Sequence, residues 1–190
     1  MKVAPQPLAG PVDPYDVAWR QVQDLDASVA QVASLVAGAA LCMATFAMWI
    51  VLVPFHPVRI GYGTLLFAAA VVVLLHELAH IVAFLVGRPR GADIDLVWRH
   101  RRPSLQYRGA VSRTRYLVVL IAPLAAISLF PILASVVLSL RSGDLVLVSM
   151  LNALVSGTDA VAAALVLLQV PPGAFLQRRG PCVIWRATAS

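Results

Sequence analysis

Four side chains in this sequence have the types and spacing for metal-assisted hydrolysis. His76-Glu77-Leu78-Ala79-His80 sets two histidines four positions apart with a glutamate between them. On a helix, positions i and i+4 lie one turn apart on one face, so both imidazoles can bind a single ion. In this His-Glu-x-x-His pattern the histidines hold zinc, and the glutamate serves as general base for an attacking water. Glu77 is the only glutamate in the chain. The fourth side chain is Asp159, a carboxylate far along the sequence.

The setting of these residues is as informative as their spacing. The motif lies inside an apolar run, with Val71-Val72-Val73-Leu74-Leu75 before it and Ile81-Val82-Ala83-Phe84-Leu85 after it. The 190 residues are 60% hydrophobic and 13% charged, with a mean hydropathy of +0.83. A soluble domain is about 45–50% apolar and about 25% charged, so this chain belongs with membrane proteins. Four apolar runs are long enough to span a bilayer, at about 29–53, 64–85, 116–140 and 145–170. The fold expected is an all-α integral membrane protein of four transmembrane helices, with a small cytoplasmic β-hairpin between helices 2 and 3. Pro123 and Pro131 should kink or locally open the third helix. No basic start followed by an apolar stretch opens the chain, so the first span is expected to act as an uncleaved targeting signal.

The polar segments set the orientation. Residues 1–28 are expected to form a cytoplasmic tail, Pro-rich at first, with a short interfacial helix over about 15–25. That helix is suggested by Tyr15, Ala18, Trp19, Val22 and Leu25 at helical intervals. Residues 88–115 carry Arg88, Arg90, Arg99, Arg101, Arg102, Arg108, Arg113 and Arg115. Ile94, Leu96 and Trp98 alternate with other side chains there, and a second run covers 105–111. A break at Arg102-Pro103-Ser104 makes the segment read as a hairpin. Residues 171–190 form a C-terminal tail in which Cys182-Val183-Ile184-Trp185 could be a strand, paired with that hairpin. With four spans, these segments share one side, and the other side holds only Arg59 and Arg141. The positive-inside rule puts the basic side in the cytoplasm of a bacterial cell membrane. The net charge of +6 therefore reflects topology and contact with anionic lipid, with no nucleic-acid partner. The membrane domain is taken as 29–170, the hairpin being an insertion. His56 reads as a solvated loop histidine, and Cys42 and Cys182 as free thiols.

Within the four spans the titratable groups are His76, Glu77, His80 and Asp159, apart from Cys42 and tyrosines at the edges. Unpaired, each would cost several kcal/mol or more in hydrocarbon, so they should meet one another or a metal. Counting about 1.5 Å per residue from the cytoplasmic ends puts His80 at roughly 10 Å, His76 at roughly 16 Å and Asp159 at roughly 18 Å. A catalytic zinc takes three protein ligands and keeps a position for water, and His76, His80 and Asp159 fill those places. Asn152 and Ser156 share a helical face with Asp159. They could bind a substrate backbone, orient Asp159 or join helices. Gly157 should allow close helix approach.

The chain resembles the site-2 protease type of intramembrane metalloprotease. It is more similar still to the small bacterial zincin-type peptidases of the membrane. The likeness covers roughly residues 60–185. It is carried by His76-Glu77-Leu78-Ala79-His80, by Arg115-Tyr116 opening a helix with Pro123, and by Ser156-Gly157-Thr158-Asp159 followed by Pro171-Pro172. The resemblance implies His76, His80 and Asp159 as zinc ligands and Glu77 as catalytic base. It also implies a membrane or membrane-proximal protein substrate. Ser-Gly-Thr-Asp replaces the site-2 protease Asp-Gly signature, there are fewer spans, and no PDZ domain is present. Two other functions use the same residues: a divalent-metal transporter, and a non-enzymatic scaffold stabilised by metal.

Overall fold

The computed structural model describes residues 19–53, 61–86, 93–99, 102–108, 110–179 and 182–187. Strand β1 (Arg20–Gln21) leads into helix α1 (Ala27–Leu52), and α2 (Tyr62–Leu85) follows. Strands β2 (Asp93–Arg99), β3 (Arg102–Arg108) and β4 (Val111–Ser112) come next. Then α3 (Arg113–Pro123), a π-helical segment (Leu124–Leu129) and α4 (Phe130–Leu138) run end to end. Finally come α5 (Gly143–Val155), α6 (Gly157–Gln169), β5 (Phe175–Arg179) and β6 (Cys182–Arg186). Three helices, Ala27–Leu52, Tyr62–Leu85 and Arg113–Leu138, are long and apolar enough to cross a membrane. The pair α5 and α6 makes a fourth if its two bent halves count as one span. Leu66, Phe67, Leu74, Val51, Val137 and Leu168 stand exposed on these helices. An outer surface so apolar fits lipid and not water.

The last span differs from the expected continuous helix: α5 and α6 meet at an angle of 45°. Ser156 and Gly157 account for the break. Ser156 Oγ donates to the Asn152 carbonyl at 2.8 Å, a local bond that competes with the helical ladder. Gly157 lies against α1. A Cβ there would overlap the Ser34 carbonyl oxygen and come within 2.6 Å of Gly38 N. Gly38 in turn lies against the Leu154 carbonyl. The close approach expected of Gly157 is thus a mutual glycine contact, and it makes α5 and α6 the centre of the bundle.

The prolines act on the third span as the sequence implies. Pro123 has no N–H for the Val119 carbonyl four residues back, and Pro131 has none for Ile127. Between them the helix widens, with Phe130 N–H bonded to the Ala125 carbonyl five residues back. The first helix stops at Leu52, with Val53 extended at φ −135° and ψ 114°, as a residue before proline should be.

The strands depart from expectation in two places. Residues 20–25 are not helical. Arg20 and Gln21 pair with Trp185 and Ile184, so a free strand edge overrides the local helical pattern. The rest of the expected interfacial helix, residues 15–18, lies outside the described residues, as do His56 and Gly87. The strand at 182–186 pairs with β5 and β1 in a four-stranded sheet of order β1-β6-β5-β4, and not with the hairpin. The hairpin itself is β2 against β3, antiparallel, with Trp98 opposite Pro103 and Arg99 opposite Arg102. Arg102-Pro103-Ser104, expected at the break, therefore falls within β3. Pro103 is tolerated because each strand of a two-stranded sheet is an edge.

Two apolar clusters hold the ends of the bundle. Val22, Phe84, Val111, Tyr116, Val166 and Leu176 join the sheet to the last turns of α2 and α6. Trp49, Val53, Ile132 and Val146 close the other end. A buried polar belt lies within the bundle: Ser128, Ser149, Asn152 and Ser156 on the central elements, and His76 on α2. Replacing Gly157 by Ala should cost about 3 kcal/mol by forcing α1 away. Gly63→Ala, with open space around it, should be neutral or slightly stabilising, by up to ~1 kcal/mol. Thermal unfolding of the two variants in one detergent compares them directly; equal Tm values would contradict the contact.

Candidate metal centre

His76 and His80 stack one turn apart on α2, with ring centroids 4.9 Å apart and planes at 83°. Each ring is pinned through Nδ1. His76 Nδ1 is 3.0 Å from Asn152 Oδ1. The amide orientation follows from its other end: Nδ2 donates to the Pro123 carbonyl at 2.9 Å and to Ser128 Oγ at 2.8 Å. Ser128 spends its own proton on the Ser149 carbonyl. Asn152 Oδ1 is then an acceptor, and His76 Nδ1 carries the proton. His80 Nδ1 is 2.8 Å from the Val119 carbonyl, which can only accept, so that nitrogen is protonated as well.

The Val119 carbonyl is available for a sequence reason. In an α-helix it would take the N–H of residue 123, and that residue is proline. The same logic recurs one step on. The Ile127 carbonyl, which Pro131 cannot serve, accepts from Ser149 Oγ at 3.4 Å. The polar belt is thus built on carbonyls that two prolines leave open.

With both Nδ1 atoms protonated, neutral rings present Nε2 as bare lone pairs. Both face one carboxylate oxygen: Asp159 Oδ2 lies 3.0 Å from His76 Nε2 and 3.4 Å from His80 Nε2. These approaches would be ion pairs only if the imidazoles were doubly protonated. Otherwise Asp159 Oδ2 is buried with no hydrogen-bond donor, and three lone pairs crowd one point. A cation relieves that arrangement. The ligand atoms of the three residues all lie within 4.8 Å of one another. Tetrahedral zinc, with bonds of about 2.0–2.1 Å, separates its ligand atoms by about 3.3 Å, and the two separations from Asp159 Oδ2 bracket that value. Asp159 also sits in the first turn of α6, where the positive end of the helix favours a carboxylate.

The structure brings together His76, His80 and Asp159, as the depth count implied. It places Asn152 behind His76, and not against Asp159. Fully buried, Asn152 has no path to a substrate. Ser156 bonds its own helix and is also buried, so it neither binds substrate nor supports a ligand directly. Glu77 is exposed on α2, about 100° around the helix from His76 and about 60° from His80. The side chains of His80 and Asp159 retain 16% and 17% exposure against 6% for His76. The more open side of the cluster is therefore that of His80 and Asp159. Ser128, Ser149 and the Val119 carbonyl escaped the sequence reading. For Val119 the signal was present in Pro123.

A family described as "Putative zincin peptidase" matches residues 69–175. That range covers more than half of the chain and includes His76, Glu77, His80 and Asp159. The chain belongs to this family. The zincin family implies zinc binding and suggests a metallopeptidase, and His76, His80 and Asp159 form a cluster that could hold the metal. The matched range runs from within α2 to the first residue of β5. No curated protein and no solved structure matches the chain.

Loss of the His76 support should be visible in metal binding alone. Asn152→Leu removes the Nδ1 acceptor while keeping bulk, and zinc affinity should fall about 10–100-fold. Chelator competition on purified protein measures it; unchanged affinity would show that the amide does not orient the ring.

Proposed function

We propose that this zincin is a membrane-embedded metallopeptidase that hydrolyses peptide bonds of membrane or membrane-proximal proteins, with Glu77 as general base. The observation that carries the reading is the convergence of His76 Nε2, His80 Nε2 and the donorless Asp159 Oδ2 on one point inside an apolar bundle. Zinc bound there supplies a Lewis acid that polarises the substrate carbonyl and makes a water acidic near neutral pH. The chain's own residues do the rest. Asn152 and the Val119 carbonyl hold both rings in the tautomer that offers Nε2. Glu77, exposed on α2, takes the proton of the attacking water and passes it to the leaving amine as the C–N bond breaks. The apolar surroundings strengthen each of these charge interactions.

In this reading α5 and α6 are two halves of one fourth span. The basic segments then lie on the cytoplasmic face, with both termini and the hairpin. The metal centre is reached from that face, and the substrate is a protein segment arriving from the bilayer or its surface.

A second reading has one observation in its favour. Broken helices that present a helix end to a buried ligand are common in transporters, and α5 and α6 form such a break beside Asp159. Metal uptake into proteoliposomes would favour transport. Glu77→Gln separates the two readings: it should leave zinc binding intact and lower peptide hydrolysis about 10²–10⁴-fold. Full proteolytic activity in that variant would remove the proposal.

A further inference from the structure

We infer that Arg113 and Arg115 are positioning residues that clamp the ends of α2 and α6, fixing the relative placement of the histidines and Asp159. The inference builds on the reading of those three residues as a metal site. Among the described elements, α2 packs on α3 and α5, and α6 packs on α1 and α3; α2 and α6 share no extensive interface. Their relative placement is transmitted through the elements that touch both: α5, which packs on α2 and continues into α6, and α3, which packs on each and reaches their far ends.

The contacts at the start of α3 are of the required kind. Arg115 Nη2, with two N–H groups, lies within hydrogen-bond reach of three carbonyls, those of Ala83 and Phe84 at 2.8 Å each and that of Val86, and its donation is shared among them. Arg113 Nη2 donates to the Leu167 carbonyl at 3.0 Å. These acceptors belong to the last turns of α2 and α6, where carbonyls lack intrahelical partners. Neither last turn has a basic residue of its own. Two positions apart on a helix, the arginines lie about 200° around the axis, so one reaches each neighbour. The start of α3 is itself fixed, by Arg113 N–H to the Ala174 carbonyl and by Ser112 Oγ accepting from Arg115 N–H.

The placement is costly for α3 and favourable for its neighbours. Cations in the first turn oppose a helix's own dipole, whereas cations at a C-terminus complement it. A local rule broken at two positions and repaid at two other helix ends points to a tertiary role. Basic residues at a membrane edge also set topology, but topology does not require a guanidinium at each of two helix ends. Ala83 is about one turn beyond His80, and Leu167 about 12 Å beyond Asp159. A slip of ~1 Å at either end would carry the ligand atoms outside the ~0.2 Å tolerance of zinc geometry.

The test is zinc affinity by chelator competition on full-length protein in detergent, with thermal unfolding of the metal-free form as a parallel readout. Arg113→Ala and Arg115→Ala should each weaken zinc binding at least tenfold. Arg141→Ala, exposed beside Leu52 and Val53 at the other end of the bundle, should not. Arg115→Lys, which keeps the charge and one donating nitrogen with a different reach, should fall between. A clamp that is merely structural would lower the unfolding temperature and leave affinity unchanged; that result overturns the inference. If the alanine variants do not fold, Arg113→Met and Arg115→Met, which keep the aliphatic stem and remove every donor, decide it, and wild-type affinity in both overturns it. A wild-type chain that binds no zinc would overturn the site reading and the clamp together, whereas a zinc-binding wild type with indifferent variants removes the clamp alone.

Discussion

Two imidazoles and a carboxylate meet with their lone pairs turned toward one another, inside helices that are apolar on almost every outward face. Asp159 Oδ2 lies 3.0 and 3.4 Å from two imidazole nitrogens, and these acceptors repel unless a metal ion or added protons lie among them. The fold is arranged to keep these groups in place. Asn152 and the Val119 carbonyl hold the rings, the break at Ser156-Gly157 starts a new helix whose first turn carries Asp159, and α3 ties the ends of both ligand-bearing helices.

The polar belt depends on departures from regular helix. Ideal helices consume their own carbonyls, leaving nothing for a histidine to bond. Pro123 and Pro131 release the carbonyls of Val119 and Ile127, and a π-helical turn fills the interval. Gly38 and Gly157 let backbones approach where side chains would have kept them apart. Such irregularities are tolerated at membrane depth because neighbouring side chains satisfy the freed groups. The apolar clusters at either end are ordinary in their packing.

The metal cluster was legible because charge is so sparse in the spans. His76 and His80 have a spacing with a physical meaning, and Asp159 was the remaining carboxylate at a compatible depth. Helix α2 could be bounded to within two residues for the same reason: hydropathy changes sharply at its ends. The bend between α5 and α6 was not foreseen, because Ser-Gly within a long apolar run is common in unbroken membrane helices, and only the contact with α1 turns it into a break. The strand at Arg20–Gln21 was missed because its pairing partner lies at the far end of the chain. Asn152 was singled out as a polar residue near the site, yet its partner could be found only from the crossing of α5 with α2. The roles of Arg113 and Arg115 were hidden for a related reason. In sequence they are two more charges in a basic segment, and their carbonyl partners become visible only in three dimensions.

The central claim is that two imidazoles and one carboxylate hold a single zinc ion inside the bundle. X-ray absorption at the zinc edge of purified wild-type protein, with metal content determined on the same sample, tests it most directly. The account predicts one zinc per chain, bound by two imidazole nitrogens and otherwise by oxygen, at about 2.0–2.2 Å. A zinc-free protein, or a first shell containing sulfur at about 2.3 Å, would contradict it.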